Sequence, residues 1–239
     1  MTPALKPVAG FEATAYAWRD GAIVWAAAHG HTEHPRHATR PWRPHRFEGD
    51  ARSLMAGAQL CLARLDLASN KGLLRWLGGQ PLPFPLEPAR PRFDAVRDAL
   101  VRDDAVAFGA AALRVLGLGH GLTPSGDDFI GAIVFALAHA PRKSWRAPLP
   151  AVKAQLRDAA LSATNPISAA LLDDLMAGAS YRVLHELIDA LQGRQPAEVK
   201  SATEALLSLG ASSGADMLAG LLLTLTTTPS HDLAGTSSP

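Results

Sequence analysis

Residues 117–140 read GLGHGLTPSGDDFIGAIVFALAHA, and the interpretation of the whole chain starts from this stretch. Four glycines and one proline fall within its first ten residues, and two adjacent aspartates, Asp127 and Asp128, follow them. Residues 129–140 are almost wholly apolar, which predicts a helix that is buried on all sides at the centre of a domain. The polar loop would then be held by a rigid element, which suits precise chemistry.

A second segment, GASSGADMLAGLLLTL at residues 210–225, repeats the order of glycine, Ser-Gly-x-Asp and apolar helix. In both segments the serine, Ser125 or Ser213, is a candidate N-cap for the backbone N–H three residues on, and an acidic side chain there can reach back. We expect the two motifs to meet in space, with the carboxylates of Asp128 and Asp216 facing one pocket.

Capping explains the first motif only in part. Gly117, Gly119 and Gly121 are more glycine than a cap needs, and glycines at this density let the backbone approach a ligand and form an anion-binding concavity. Two carboxylates beside an anion site require something positive between them, which could be a metal ion, an arginine or an NH₂ group of the ligand. The loop is therefore interpreted as a functional site.

The remaining patterns predict an α+β fold. Residues 1–90 form a β-containing N-terminal part, with a hairpin turn at Asp20-Gly21 and a helix that Ser53 would cap. Residues 91–226 form a larger helical part around the two buried helices, and residues 227–239 form a disordered tail. The helices are predicted at residues 53–66, 94–116, 129–140, 151–163, 166–177, 180–192, 197–209 and 215–225.

Composition narrows the function classes. The chain has 239 residues, 48% of them hydrophobic and 19% charged, and a formal net charge of +1, which gives no electrostatic case for a nucleic-acid partner. Cys61 is the single cysteine, as expected in a reducing compartment. The longest apolar runs are far shorter than the ~20 residues that span a bilayer. We expect a cytoplasmic protein that has no membrane or nucleic-acid partner.

Weaker signals are interpreted as surface features. Five histidines and five arginines in the N-terminal third are typical of a basic, proline-rich loop, although such a histidine cluster could also bind a transition metal. Asp173 and Asp174 are predicted to be surface charges on a helix. The clustered residues are His29, His31, His34, His37, His45, Arg36, Arg40, Arg43, Arg46 and Arg52.

The motif at residues 117–129 resembles the signature of the AllH-like family, which is named for a subunit of oxamate carbamoyltransferase. Two further blocks resemble the family in the same order, one beginning TNPIS at Thr164 and one beginning GASSGAD at Gly210. The resemblance implies a subunit of a transferase that converts oxalurate and phosphate to oxamate and carbamoyl phosphate in anaerobic allantoin breakdown, a purine catabolic route. Other subunits of that complex are the implied partners.

The motif could bind carbamoyl phosphate through two parts of the ligand, its phosphate and its NH₂ group. The glycine-rich helix N-terminus would bind its phosphate oxygens, and an aspartate would accept from its NH₂ group or hold Mg²⁺, the one candidate cofactor. Asp127, Asp128 and His120 are the predicted catalytic residues, and no metal ligand is assigned. The predicted substrate-binding residues are Gly119, Gly121, Thr123, Ser125, Gly126, Thr164, Asn165, Ser168, Ser213, Gly214 and Asp216.

Two alternatives remain open from the sequence. The chain could be a non-catalytic structural or assembly subunit whose glycine-rich loops serve the fold. It could also be a metal-dependent hydrolase with Asp127, Asp128 and Asp216 as ligands. The sequence has no hydrolase-type nucleophile–base pair, phosphate-loop lysine motif or dinucleotide-binding fingerprint.

Overall fold

The computed structural model describes residues 6–10, 14–19, 22–27, 33–37, 41–44, 47–67 and 70–229. The predicted α+β class is confirmed, since a small antiparallel sheet precedes a larger helical part. The sheet has the order β1 (Lys6–Gly10), β2 (Thr14–Arg19) and β3 (Ala22–Ala27). Arg19 pairs with Ala22, so the strands on both sides of the predicted turn are antiparallel. The turn residues Asp20 and Gly21 lie outside the described residues.

Ten α-helices follow within the described residues. They are α1 (Ala51–Leu62), α2 (Gly72–Leu77), α3 (Arg90–Val101), α4 (Ala105–Leu113), α5 (Ser125–His139), α6 (Leu149–Ala163), α7 (Pro166–Met176), α8 (Arg182–Gly193), α9 (Pro196–Leu207) and α10 (Ser213–Thr227). Helix α10 therefore includes Thr227, where the sequence predicted the start of a tail. The tail residues 230–239 lie outside the described residues.

Two helix boundaries correct the sequence predictions. The predicted helix at 94–116 is divided into α3 and α4, because Asp103 adopts a left-handed φ of 56° and the Asp104 side chain caps α4 by accepting from the N–H groups of Val106 and Ala107. Ser53 does not cap α1. Asp50 does so, and its carboxylate accepts from the Ser53 N–H at 2.9 Å.

Helices α5 and α10 form the centre of the molecule, as their apolar sequences predicted. Residues 125–137 of α5 and 214–225 of α10 are buried, and the two helices pack directly against each other. Contact is close at Gly220, where a Cβ atom would overlap the carbonyl oxygen of Phe129. Large apolar side chains elsewhere on both helices exclude water from the rest of the interface.

The helical part has an internal repeat in its order of helices. Helix α3 packs on α4 before the central α5, and α8 packs on α9 before the central α10. The turn between α3 and α4 and the turn between α8 and α9 share a left-handed residue. It is Asp103 in the first turn and Arg194 in the second, and φ is 56° at both. Helix α5 also contacts α7, and α10 contacts α2. The two Ser-Gly-x-Asp motifs therefore begin equivalent helices.

The N-terminal segment is fastened to the helical part by charged and aromatic side chains. The Arg36 guanidinium makes a two-pronged ion pair with the Asp174 carboxylate on α7, with 2.7 Å from Nη2 to Oδ1. His34 is 1% exposed and packs against Trp25 and Tyr181. The prediction of solvated surface charge is therefore wrong for Arg36, Asp174 and His34. His29, His31 and His45 lie outside the described residues.

One set of buried apolar side chains runs through both parts, from Tyr16 in β2 to Leu225 in α10. The proline- and glycine-rich stretch at residues 78–85 connects α2 to α3. The division of the chain at residue 90 stays a prediction. Among the described residues, no helix combines the length and the apolar character that crossing a membrane requires.

Candidate functional site

The first glycine-rich loop is closed by the carboxylate of Asp127. Its Oδ1 accepts from the Gly117 N–H at 2.7 Å, and its Oδ2 accepts from the Ser168 hydroxyl of α7, also at 2.7 Å. Asp127 is 2% exposed. Since both oxygens are engaged, the side chain holds the loop in place and ties it to α7.

The two serines are not N-caps, which corrects the capping-box interpretation. Helix α5 already includes Ser125, and its N-cap residue is Pro124. Helix α10 likewise includes Ser213, and its N-cap, Ser212, makes no side-chain capping bond. The serine side chains therefore do not cap the helices, and they lie within the first turn of each helix.

Two glycines allow the loops to pack closely against the helix starts. The Gly126 N–H donates to the Leu118 carbonyl at 2.8 Å, and a Cβ at Gly126 would overlap the carbonyl oxygen of Val115. Gly214 stands in the equivalent place, since its N–H donates to Leu209 at 3.0 Å and a Cβ would overlap the Leu206 carbonyl. These N–H groups are therefore used inside the protein, and a role of either glycine in substrate binding stays a prediction.

Gly119 and Gly121 differ from Gly126 because their backbones are left-handed, with φ of 120° and 95°. A Cβ at Gly119 would lie 2.6 Å from the Ser125 nitrogen, whereas nothing lies within 4 Å of a Cβ at Gly121. Gly119 therefore permits a close approach to α5, and Gly121 is open to solvent.

The two motifs meet in space, as the sequence predicted. The hydroxyl oxygens of Thr123 and Ser213 lie 2.8 Å apart, within hydrogen-bonding distance. Between the loops is a cleft of about 550 Å³. Its lining residues are Tyr16, His120, Gly121, Leu122, Thr123, Gly210, Ala211, Ser212 and Ser213. His120 is exposed at this cleft.

The carboxyl groups of Asp128 and Asp216 lie beneath this cleft and do not line it, which corrects the expectation that they face the pocket. They are 3% and 0% exposed, and Oδ2 of each has no hydrogen-bond partner. Oδ1 of Asp216 accepts from the Leu73 N–H at 2.7 Å. Thr123 and Ser213 line the cleft and their hydroxyls interact with the carboxyl group of Asp128, so they connect it to the cleft.

Burial controls the protonation of both groups. It raises the pKa of Asp128 well above the ordinary value, and the nearby charge of Asp216 raises it further. Burial also raises the pKa of Asp216 to about 6, although the Leu73 N–H and the positive charge of Lys71 oppose the rise. The pair therefore favours retention of a proton in a pH range where exposed aspartates are ionised.

The Thr164 block supports the first loop from the side of α7. Asn165 caps α7 by accepting from the N–H groups of Ile167 and Ser168, and its amide donates to the Leu122 carbonyl at 2.8 Å. Thr164 precedes it as the C-cap residue of α6, and its hydroxyl is buried without a partner. None of these residues lines the cleft, so their contact with substrate stays a prediction.

Two residues near the site were missed by sequence reasoning. Tyr16 of β2 lines the cleft and is 9% exposed. Lys71 lies at the second loop, where its Nζ is 3.4 Å from the Gly210 carbonyl oxygen, and it supplies positive charge near Asp216. No local signal marks Tyr16, because more than a hundred residues separate it from His120. Lys71 directly precedes α2, which begins at Gly72. Its contact with Gly210 cannot be predicted from local sequence, because the two residues are far apart along the chain.

The hydrolase hypothesis required three carboxylates around one metal ion. In the part of the chain that the structure describes, no three His, Cys, Asp or Glu side chains are grouped so that they could hold one. Asp127 cannot join Asp128 and Asp216 as a ligand without releasing Gly117 and Ser168.

The comparisons with known proteins agree with the motif-based resemblance. Residues 115–225 match the family model described as "Oxamate carbamoyltransferase subunit AllH". Neither the curated proteins nor the solved structures give a significant match. The matched range contains both loops, the Thr164 block and the two central helices. The resemblance is therefore confirmed over residues 115–225, which are similar to the AllH family.

Proposed function

We propose that the chain is a subunit of a carbamoyltransferase-type enzyme and that its cleft holds carbamoyl phosphate or a related amide–phosphate pair. The observation that carries the proposal is the convergence of two glycine-rich loops on one cleft, joined by the Thr123–Ser213 hydrogen bond above two buried carboxyl groups. The family description supports the reaction class.

The start of each central helix suits the anionic part of such a ligand. Helices α5 and α10 are both 15 residues long; Ser213 of α10 lines the cleft, and α5 begins two residues after Thr123, which also lines it. The positive ends of their dipoles favour phosphate or carboxylate groups. Lys71 adds a cation beside the second loop, and Thr123 and Ser213 add hydroxyl donors. Lys71 thus supplies the positive charge that an anion site beside two carboxyl groups requires.

The amide part of the ligand is recognised through the same hydroxyls. If Asp128 is ionised, one of the two hydroxyls donates to it and accepts from the other, whose oxygen is then free to accept from a ligand NH₂ group. If Asp128 is protonated, it donates to a hydroxyl, which can pass its own proton toward a ligand oxygen. The buried carboxyl therefore sets the polarity of the cleft through Thr123 and Ser213 without touching the ligand.

The proposed reaction is phosphorolysis of oxalurate. A phosphate oxygen forms a bond to the ureido carbonyl carbon, the bond from that carbon to the oxamate nitrogen breaks, and the nitrogen takes a proton. His120 is the proposed proton donor, since its imidazole lines the cleft and is accessible. The helix N-termini would stabilise the oxyanion that forms at the carbonyl.

A thermal-shift titration tests the proposal. Wild type and Asp128→Asn are titrated with carbamoyl phosphate, oxamate and phosphate, with and without Mg²⁺. A ligand at a hundredfold excess over its Kd adds about 2.7 kcal/mol, which corresponds to several degrees for a chain of this size. We expect this shift in wild type and a smaller one in the variant. Absence of a shift in wild type, both alone and with its partner subunits, would overturn the proposal.

One observation favours the non-catalytic alternative. Asp127 has both oxygens engaged inside the protein, so this part of the motif serves the fold. A purely structural subunit predicts that Asp128→Asn changes stability but leaves the activity per folded complex unchanged. The activity of the reconstituted complex, measured per folded chain, separates the two functions.

A further inference from the structure

We propose that Tyr16 is a ligand-contacting residue and that the N-terminal sheet forms one wall of the cleft, where the phenol hydroxyl donates a hydrogen bond to the anionic group of the ligand. This inference rests on the proposed function and adds a residue from outside the matched family domain, which begins at residue 115.

The position of Tyr16 is the first support. Its side chain lines the cleft together with His120, Thr123 and Ser213, and it is 9% exposed. The residue comes from the sheet, whereas the other lining residues come from the loops before α5 and α10. A ligand in the cleft would therefore be enclosed by three segments that are far apart in the sequence.

The packing behind Tyr16 is the second support. It pairs with Trp25 across β2 and β3, and the two ring centroids are 5.8 Å apart. Trp25 in turn packs against His34 and Tyr181, with centroids 4.4 Å and 5.7 Å away. This aromatic stack fixes the direction of the phenol ring, so a hydrogen bond from its hydroxyl would cost little side-chain entropy.

The chemistry of the phenol fits an anion better than a cation. Burial raises the pKa of Tyr16, and the charge of Asp128 raises it further, so the hydroxyl keeps its proton. A neutral O–H group can donate to phosphate or carboxylate oxygen without adding negative charge beside Asp128 and Asp216. Packing alone would be satisfied equally well by phenylalanine.

The test is Tyr16→Phe in the full chain, with Tyr181→Phe as the matched control. Tyr181 belongs to the same aromatic stack and is 7% exposed, but it does not line the cleft. Thermal-shift titrations with phosphate and with carbamoyl phosphate give the apparent Kd of each variant. We expect Tyr16→Phe to weaken binding by about tenfold or more, since a hydrogen bond to a charged group is lost, and Tyr181→Phe to leave the Kd unchanged.

The outcomes separate this inference from the proposed function. Binding by wild type and equal binding by Tyr16→Phe would overturn the inference and leave the proposed function standing. Equal losses in both variants would also overturn it, because a general loosening of the aromatic stack would then account for the effect. Absence of binding by wild type, alone and with its partner subunits, would overturn the proposed function and this inference together.

Discussion

The buried carboxyl group of Asp216 makes the stability of the protein depend on pH. In the folded state its pKa is about 6, because burial disfavours the charged form, whereas an unfolded aspartate has a value near 3.8. The folded state therefore holds its proton more tightly, and the resulting stabilisation is complete below about pH 4 and is lost as the pH rises through 6.

We predict that Asp216→Asn removes this pH-dependent loss of stability. The amide is neutral at every pH, and its oxygen can still accept from the Leu73 N–H. The free energy of unfolding of the variant, relative to wild type, should rise by about 2–2.5 kcal/mol between pH 4 and pH 7. Urea unfolding at several pH values measures the difference, and taking the difference cancels other titrating groups such as His34.

An exposed aspartate provides the control for this prediction. Asp158→Asn on α6 makes the same substitution at an exposed side chain, and the pH series of the two variants are compared. A flat difference for Asp216→Asn across the same range would show that its folded-state pKa is not raised. Retention of a carboxyl group that lowers stability at neutral pH is consistent with a role in the cleft.

At the scale of elements, the starts of α5 and α10 depend on backbone contacts that only glycine permits. We predict that Gly126→Ala and Gly214→Ala each destabilise the protein by about 2–3 kcal/mol, since the added methyl group meets the carbonyl oxygen of Val115 or Leu206. Thermal or urea unfolding of each variant gives the value.

Gly121→Ala is the informative comparison for this prediction. A Cβ at Gly121 meets nothing within 4 Å, so its cost should be limited to the strain of a left-handed backbone, about 1 kcal/mol. If all three variants lost the same stability, overlap with neighbouring carbonyl groups would not be the dominant effect at the helix starts.

Helices were the most predictable elements, because their apolar patterns and caps are local. Asn165 caps α7 directly before the proline that begins the helix, and both all-apolar helices are central, as predicted. The errors occurred where a single capping side chain or a single backbone conformation decides the boundary. Asp50 begins α1 ahead of Ser53, and the left-handed Asp103 divides a stretch whose composition is helical throughout.

At the scale of the whole molecule, the N-terminal segment is held against α7 by the pair of Arg36 and Asp174. We predict that Asp174→Asn lowers the free energy of unfolding by about 1–3 kcal/mol, because it leaves a partly buried guanidinium without its charged partner. Urea unfolding measures the change. Because this segment supports Trp25 behind Tyr16, ligand binding should weaken as well.

The carboxylate of Asp173, next to Asp174 in the sequence, provides the control for this prediction. Asp173 pairs with Arg157, and both side chains are about half exposed, so Asp173→Asn should cost less than about 0.5 kcal/mol. Similar losses for the two variants would contradict the interpretation that Arg36 and Asp174 fasten the segment to the helical part.

The sequence by itself determined the elements and the importance of the two Ser-Gly-x-Asp motifs. Apolar runs specify buried helices, and glycine and proline specify loops, because these preferences act within a few residues of the chain. The same reasoning identified four of the eight loop residues that line the cleft, and it predicted that the two motifs would meet.

Only the tertiary structure decided what each polar side chain contacts. It turned Asp127 toward Gly117 and Ser168, placed Asp128 and Asp216 beneath the cleft, and brought Tyr16 to its wall. The physical reason is that hydrogen bonds, ion pairs and burial depend on distances in space, and these partners come from segments that are remote in the sequence. The pattern of residues within one segment does not indicate which remote segment it contacts.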